Sequence, residues 1–370
     1  MKIASYNLEN LFMRPVAMNG DTLADGRKAL QAQAEINIVL SKPNYTAADK
    51  KRIVQLLKEL KIDKKDDGGP FALLRQNRGH LLKRPKGGAI EVVANGRGDW
   101  IGSVELKREE VNEAATRNTA RVINDLDADI LGVIEAESRP GLVRFSQNVI
   151  GAATGGEPYA HAMLIDGNDD RGIDVAVYTR AGYEIVSIHS HVDDMDNKGR
   201  IFSRDCAQYE IATPQGKSVH VLVNHFKSKG YGSAVDSNER RRRQAARVKE
   251  IYDTLRQSND LIAVLGDLND TPDSAPLAPL IAGTDLKDVS EHPTFQDDGR
   301  PGTYANGTAG NKIDYVLLSP ALFAAVKSGG VERRGVWGGK NGTLFPHYPE
   351  VTKASEAASD HAAIWAEIDI

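Results

Sequence analysis

The chain has 370 residues, 41% of them hydrophobic and 26% charged, with a formal net charge of -4. That length supports a large core, and the acidic balance excludes a protein that binds polyanions by bulk charge alone, so any phosphate contact must come from a local patch. Cys206 is the only cysteine, which excludes an internal disulfide and a thiolate zinc cluster.

In chain order, Lys2–Asn7 reads as a strand with no apolar signal core before it. Residues 15 to 105 follow as an insertion. It comprises an amphipathic helix over Ala47–Leu60, a segment Phe71–Lys86 that is basic and free of acids, and a hairpin of Ala89–Ala94 and Trp100–Leu106 turning at Asn95-Gly96. A helix is expected over Val111–Leu126, then strands at Asp129–Ile134, Ile173–Thr179 and Ser218–Asn224. A second helix covers Glu239–Gln257, with Ala245, Val248, Ile251 and Leu255 on one face. Strands at Leu261–Gly266, Ile313–Ser319 and Ala362–Ile368 complete the chain. We read residues 1–370 as a single α/β domain carrying the 15–105 insertion. No apolar run approaches the ~18 residues that cross a bilayer. The expectation is a cytoplasmic protein without stable membrane association, with secretion as the alternative if a leader was removed.

The informative pattern is what stands at the strand ends, where α/β sheets bind ligands. Asn7 and Glu9, Glu135 and Glu137, Asn224 and His225, and Asp267 and Asn269 each follow or end a strand, while Asp360 and His361 precede the last one. Phosphoester hydrolysis needs such an inventory: oxygen ligands for a hard cation, a base for water, and donors for the added negative charge. Mg²⁺ takes only one or two carboxylates, so Glu135 with Asn7 or Asp360 would suffice. The competing role for Asn7 and Asn269 is to close turns. No H-E-x-x-H or G-x-x-x-x-G-K-[ST] is present, so a zinc hydrolase and a triphosphate motor lack support.

Ser5-Tyr6-Asn7-Leu8-Glu9-Asn10, Asp129 to Glu135, Asn224-His225, Leu265-Gly266-Asp267-Leu268-Asn269, Ile313-Asp314-Tyr315 and Ser359-Asp360-His361 resemble, in order, the motifs of the endonuclease/exonuclease/phosphatase superfamily. The resemblance covers residues 1–14 and 107–370. It implies a four-layer α/β/β/α sandwich of two packed mixed β-sheets with outer helices, and a Mg²⁺ or Mn²⁺ cofactor. It also implies roles. Glu135, Asn7 and Asp360 match the metal site. His361 matches the general base and Asp314 the carboxylate that orients it. Asp267 and Asn269 match the pair that positions water, and His225 matches a phosphate-stabilising histidine; whether Asp267 or His361 is the base is left open by the resemblance. Arg171 precedes a strand from which relatives contact phosphate, with a strand-entry salt bridge as its other role. Arg241 and Gln244 match a pair that packs behind the histidine strand.

Lys227 and Lys229 follow His225 and are candidates for a polyanion backbone, and Asn224 and Glu9 join them as candidate substrate contacts. The basic run Arg75 to Lys86 is either a phosphate-contacting patch or a surface balanced by Asp63–Asp67. No W-x-D-R motif of the inositol phosphatases is present, and Tyr6-Asn7-Leu8-Glu9-Asn10 is similar to bacterial nuclease-like members. The expected function is therefore a metal-dependent nuclease acting on DNA or RNA by direct water attack. A small-molecule or lipid-headgroup phosphodiesterase or phosphatase is the first alternative, and a non-catalytic binding protein on this scaffold the second.

Overall fold

The computed structural model describes residues 1–9, 11, 13–18, 23–169, 171–229 and 233–370. Asn10 of the first motif and Asp170 beside Arg171 lie outside the described residues. The chain divides into two compact units, one made of Met1–Phe12, Val111–Lys229 and Ala234–Ile370, the other of Met13–Glu110 and Gly230–Ser233.

The first unit contains β1 (Lys2–Asn7), α1 (Glu113–Leu126), β2 (Ile130–Ala136), β3 (His161–Leu164), β4 (Asp174–Thr179), β5 (Glu184–His189), β6 (Cys206–Ala212), β7 (Ser218–His225), α2 (Ala234–Arg256), β8 (Ile262–Asp267), β9 (Lys287–Asp288), β10 (Phe295–Gln296), β11 (Asp314–Leu318), β12 (Val326–Glu332) and β13 (Ala363–Ile368). One sheet runs β10-β12-β13-β1-β2-β4-β3 and the other β5-β6-β7-β8-β11-β9. Both are mixed: β1 and β2 pair in parallel, as do β7 and β8, while β13 meets β1 and β11 meets β8 antiparallel.

Successive side chains on a strand point to opposite faces, and here both faces are covered, so the strands read as continuous apolar runs. Ile3, Ile130, Val175, Val221, Leu265, Val316 and Ile364 form a core to which both sheets contribute. On the outer face of the first sheet Ala4, Tyr6, Leu131 and Val133 join Val122, Ile123 and Leu126 of α1. On the outer face of the second, Leu222, Val264 and Leu317 join Ala245, Val248 and Ile251 of α2. This is the expected α/β/β/α sandwich. Gly132 marks a close approach of the sheets, since a Cβ there would lie 3.0 Å from the Leu265 side chain.

In the second unit the helix Ala47–Glu59 forms as expected, opened by a reciprocal cap between Thr46 and Asp49. A further helix, Leu23–Leu40, has no counterpart in the sequence reading. Its buried face is carried partly by Ala29 and Ala32 beside Ile36 and Leu40, too weak an apolar stripe to stand out. The expected hairpin does not form. Ile101–Leu106 pairs with Ala72–Arg78, and Glu91–Val92 pairs with Leu82–Lys83. Asn95-Gly96 is held in a different loop, with the Asn95 amide donating to Asp99 at 2.7 Å and the Asn95 carbonyl accepting from Tyr45 at 2.8 Å. Tyr45 in turn accepts a 2.8 Å hydrogen bond from the buried Trp100 indole.

Candidate active site

Strand register assembles the site. In the second sheet His225 stands opposite Asp267, and Asp267 opposite Asp314, so three strands present them in one row. All three share the inward face with Val223, Leu265 and Val316 of the inter-sheet core. Gly266 makes this row possible: its φ is +136°, and a Cβ would fall 1.9 Å from the Asn224 carbonyl. In the first sheet Asn7 ends β1 beside Ile134 of β2.

Glu135 reaches the site by a local irregularity. Strict alternation would place it with Leu131 and Val133 on the outer, helix-covered face. Instead β4 skips it, with Asp174 opposite Ala136 and Val175 opposite Ile134, and its φ is +66°. This bulge turns the carboxylate until Oε1 lies 3.8 Å from His225 Nε2. Glu9 and Asn269 also hold left-handed backbone, at +50° and +55°, so three polar residues here carry the strain that functional sites tend to store.

His361 precedes β13 and forms an isolated bridge with Tyr304. Its Nδ1 donates to Asp314 Oδ2 at 2.9 Å, while Nε2 lies 3.5 Å from Asn7 Nδ2, 3.7 Å from Asp360 Oδ1 and 4.0 Å from Asp267 Oδ2. The same Asp314 oxygen accepts the Thr303 hydroxyl at 2.6 Å. Ser359 ties this segment to the first sheet, donating to the Asn7 carbonyl at 2.7 Å and accepting from the His361 amide at 3.0 Å. Asn7 Nδ2 donates to Asp267 Oδ2 at 3.3 Å, and its oxygen accepts from the Glu9 amide at 3.0 Å. Asn7 therefore closes a turn and also faces the site. Asn269 donates through its backbone and side chain to Asp267, at 2.8 and 3.0 Å. Glu9 accepts from the Asp360 amide at 3.0 Å.

The charges are unevenly balanced. Burial raises the Glu135 carboxyl above its ordinary range, against the nearby charges of Arg171, His361 and Arg204. Burial and then the Asp314 charge raise Asp267. For His361 burial acts downward, but the charge and hydrogen bond of Asp314, with Asp360 and Asp267, lift it well above an ordinary histidine. His225 is driven the other way, well below the ordinary range, by burial and by Arg204 and Arg171. The Tyr304 hydroxyl is raised by Asp360, burial and Glu9. Buried carboxyls whose ionisation is opposed by burial, and at Asp267 also by a neighbouring carboxylate, fit a hard divalent cation. Asp267, Asp314 and His361 also offer atoms within 4.8 Å of one another. The His361–Asp314 hydrogen bond already engages one atom of each of those two residues.

The remaining expected residues differ in placement. Arg171 makes a two-pronged bridge to Asp169, at 2.9 and 2.8 Å. Lys229 pairs with Asp270 at 2.5 Å. Asn224 faces the helix layer beside Leu222, to whose carbonyl its amide donates at 3.1 Å, so it is turned away from the face that carries His225. Lys227 is lowered to about 8 by burial and by Arg204 and Arg171. Behind it, the buried Arg241 and Gln244 bond the Lys227 backbone carbonyl and amide, both at 2.9 Å.

Several site neighbours escaped the sequence reading. Arg204 is 2% exposed, lies 3.0 Å from Asp169 and donates to the Phe226 carbonyl at 3.2 Å. Thr303 and Tyr304 come from a loop with no strand pattern. Gly302-Thr303-Tyr304 shortly before Ile313-Asp314-Tyr315 is the only signal the sequence offers for them.

The two-sheet sandwich gathers a histidine bonded to a carboxylate and several oxygen donors at one rim. The profile of the Endonuclease/Exonuclease/phosphatase family matches residues 91–329. The chain belongs to this family, whose members generally work with divalent metals. Among solved structures it is similar to a mannosyl-6-phosphatase of Bacteroides thetaiotaomicron, at 18% identity and a TM-score of 0.50, covering 70% of this chain and 92% of that one. It is also similar to the human Nocturnin catalytic domain with bound sulfate, at 15% identity and a TM-score of 0.50, covering 70% and 86%. These likenesses concern the fold. No curated protein matches the sequence. Among the described residues no helix is long and apolar enough to cross a membrane.

Proposed function

We propose that the protein is a Mg²⁺- or Mn²⁺-dependent nuclease that hydrolyses phosphodiesters of DNA or RNA by direct attack of water. The observation that carries this reading is the 2.9 Å hydrogen bond from His361 Nδ1 to Asp314, which directs Nε2 toward Asn7, Asp360 and Asp267. With its Nδ1 proton held by Asp314, His361 would take a proton from water through Nε2 once Nε2 has lost its own, a loss that the positive charge of a bound cation would favour against the carboxylates that raise this histidine. The water oxygen bonds to phosphorus, the opposite P–O ester bond breaks, and the leaving oxygen departs as an alcohol once protonated. Asp267 and Asn269, already bonded to each other, orient the water. His225 would donate to a phosphate oxygen as negative charge grows on it, joined by the Asn269 amide in exchange for its bond to Asp267 or to the Phe226 carbonyl. Glu135 with Asn7 and Asp360 would hold the cation, which supplies positive charge to a phosphate oxygen and to the leaving group. Inversion at a chiral phosphorothioate is the expected stereochemical outcome.

A second reading has its own support. Arg204 and Arg171 place positive charge near His225 and also near Lys227, which suits a terminal phosphate dianion, and one protein of similar fold is a mannosyl-6-phosphatase. Under this reading the same residues hydrolyse a small phosphoester. The test is a panel of single- and double-stranded DNA, RNA, bis-p-nitrophenyl phosphate and p-nitrophenyl phosphate, each with Mg²⁺, Mn²⁺ or EDTA. Metal-dependent cleavage of a nucleic acid supports the nuclease. Turnover of the small esters alone gives the site to the second reading.

A further inference from the structure

Charge is divided sharply along this chain. Residues 13–110 carry 19 Lys and Arg against 13 Asp and Glu, whereas the rest carries 28 against 38. Within the basic unit, residues 68–90 contain no acid at all. Two of the cations there are neutralised locally: Arg75 bridges Glu105 at 2.9 Å, and Arg84 bridges Asp66 at 2.7 Å. Arg78, His80, Lys83 and Lys86 are different. All four are exposed, and none of their side chains makes a hydrogen bond or ion pair among the described residues. Glu91 stands across the ribbon from Lys83 in register, yet the two form no ion pair.

The segment that carries these four residues is anchored at several points. Arg78 ends the strand Ala72–Arg78, and Lys83 ends the short strand Leu82–Lys83. Gly79 between them has φ of +70°, and a Cβ there would lie 2.2 Å from the Asp99 carbonyl, so the turn is fixed by close packing. Leu81 and Leu82 beneath are buried in the unit's own core with Trp100 and Val92. The backbone beneath the cations is therefore ordered before binding, and the ordering cost on meeting an anion is confined to the side chains.

Cations left unpaired on a net-acidic protein are poorly explained as solubilising charge, because the acidic remainder already supplies net charge. Their distribution suits a chain of phosphates, which several separate cations neutralise with release of counterions. We propose that the segment bearing Arg78, His80, Lys83 and Lys86 is a nucleic-acid backbone-binding surface that tethers substrate to the enzyme. This inference rests on the nuclease reading of the catalytic unit. Because the two units share one chain, such a tether raises the effective concentration of substrate and acts on KM without touching the chemistry.

The test uses the full-length protein carrying Arg78→Ala, Lys83→Ala and Lys86→Ala together, with circular dichroism to check folding. Binding of a labelled oligonucleotide is measured by anisotropy in EDTA over a range of salt concentrations. The triple variant should bind roughly tenfold or more weakly at low salt, and the slope of log K against log salt should fall by about 3. KM for a polynucleotide should rise, while kcat and turnover of bis-p-nitrophenyl phosphate stay unchanged. Unchanged affinity and slope would overturn the proposal, as would loss of binding to phosphatidylserine vesicles with oligonucleotide binding intact. If the protein binds oligonucleotides through these residues yet cleaves none, the surface stands and the nuclease reading fails. If it cleaves nucleic acid with a KM indifferent to the triple variant, the nuclease reading stands and the surface fails.

Discussion

Asp314 and His361 are joined through a single carboxylate oxygen, which also accepts the Thr303 hydroxyl. That hydroxyl itself accepts from the Asp314 amide at 3.0 Å and the Ile313 amide at 3.3 Å, so its one proton is committed to the carboxylate. The arrangement fixes the carboxylate, and the carboxylate fixes the imidazole.

Replacing Asp314 by Asn should therefore damage chemistry more than binding. An amide at this position can present its NH₂ to the ring and reverse the tautomer. We expect kcat to fall by about 10²–10⁴-fold with KM little changed, read from steady-state kinetics on the best panel substrate. A parallel rise in KM would mean that Asp314 serves substrate binding instead.

Thr303→Val removes the donor to Asp314 and leaves two buried amides without an acceptor. Stability should drop by about 1–3 kcal/mol, and kcat should fall as well. Thr303→Ser, which keeps the hydroxyl, should restore both, as measured by denaturant unfolding and kinetics. Equal losses in the Ser and Val variants would assign Thr303 a packing role.

Glu135 is turned into the site by a bulge, at a cost in backbone strain that a structural residue would not need. Glu135→Gln should weaken Mn²⁺ binding by at least the roughly 10–100-fold typical of losing a supporting group at a metal site. Titration calorimetry reads this without turnover. Chelation should abolish activity, and added Mg²⁺ or Mn²⁺ should restore it.

Asp174 gives a pH signature independent of activity. Burial raises its carboxyl from 3.8 to about 6, against a 2.8 Å hydrogen bond from the Gly167 amide. A carboxyl raised in the folded state favours folding below its unfolded value and loses that contribution as pH rises through about 6. Asp174→Asn should then be more stable than wild type at pH 7.5 by about 1–2 kcal/mol, after allowance for solvent screening, with the gain vanishing near pH 4. Melting temperatures across that range check the sign.

The sandwich and most of the site were legible because each depends on local pattern. Strands buried on both faces read as apolar runs, and a polar residue at each end marks the rim. The Glu135 position was legible, but not how it enters the site, because the bulge depends on β4 skipping one residue. Asn224 misled because adjacency to His225 on a strand means the opposite face. Arg204 and Thr303 lie in loops without a strand or helix pattern, and the role of each arises only from Asp169 or Asp314 folding beside it. The hairpin expected at Asn95-Gly96 failed because the bond from Tyr45, together with a bond to Asp99 within the loop, outweighed the preference for a tight turn.

The most direct test compares wild type with His361→Ala on single- and double-stranded DNA and on RNA, in Mg²⁺, Mn²⁺ and EDTA. The account predicts cleavage of at least one nucleic acid that requires the metal and is lost in the variant by about 10²–10⁴-fold. Cleavage that persists unchanged in His361→Ala, or no cleavage of any nucleic acid by wild type with either metal, would contradict it.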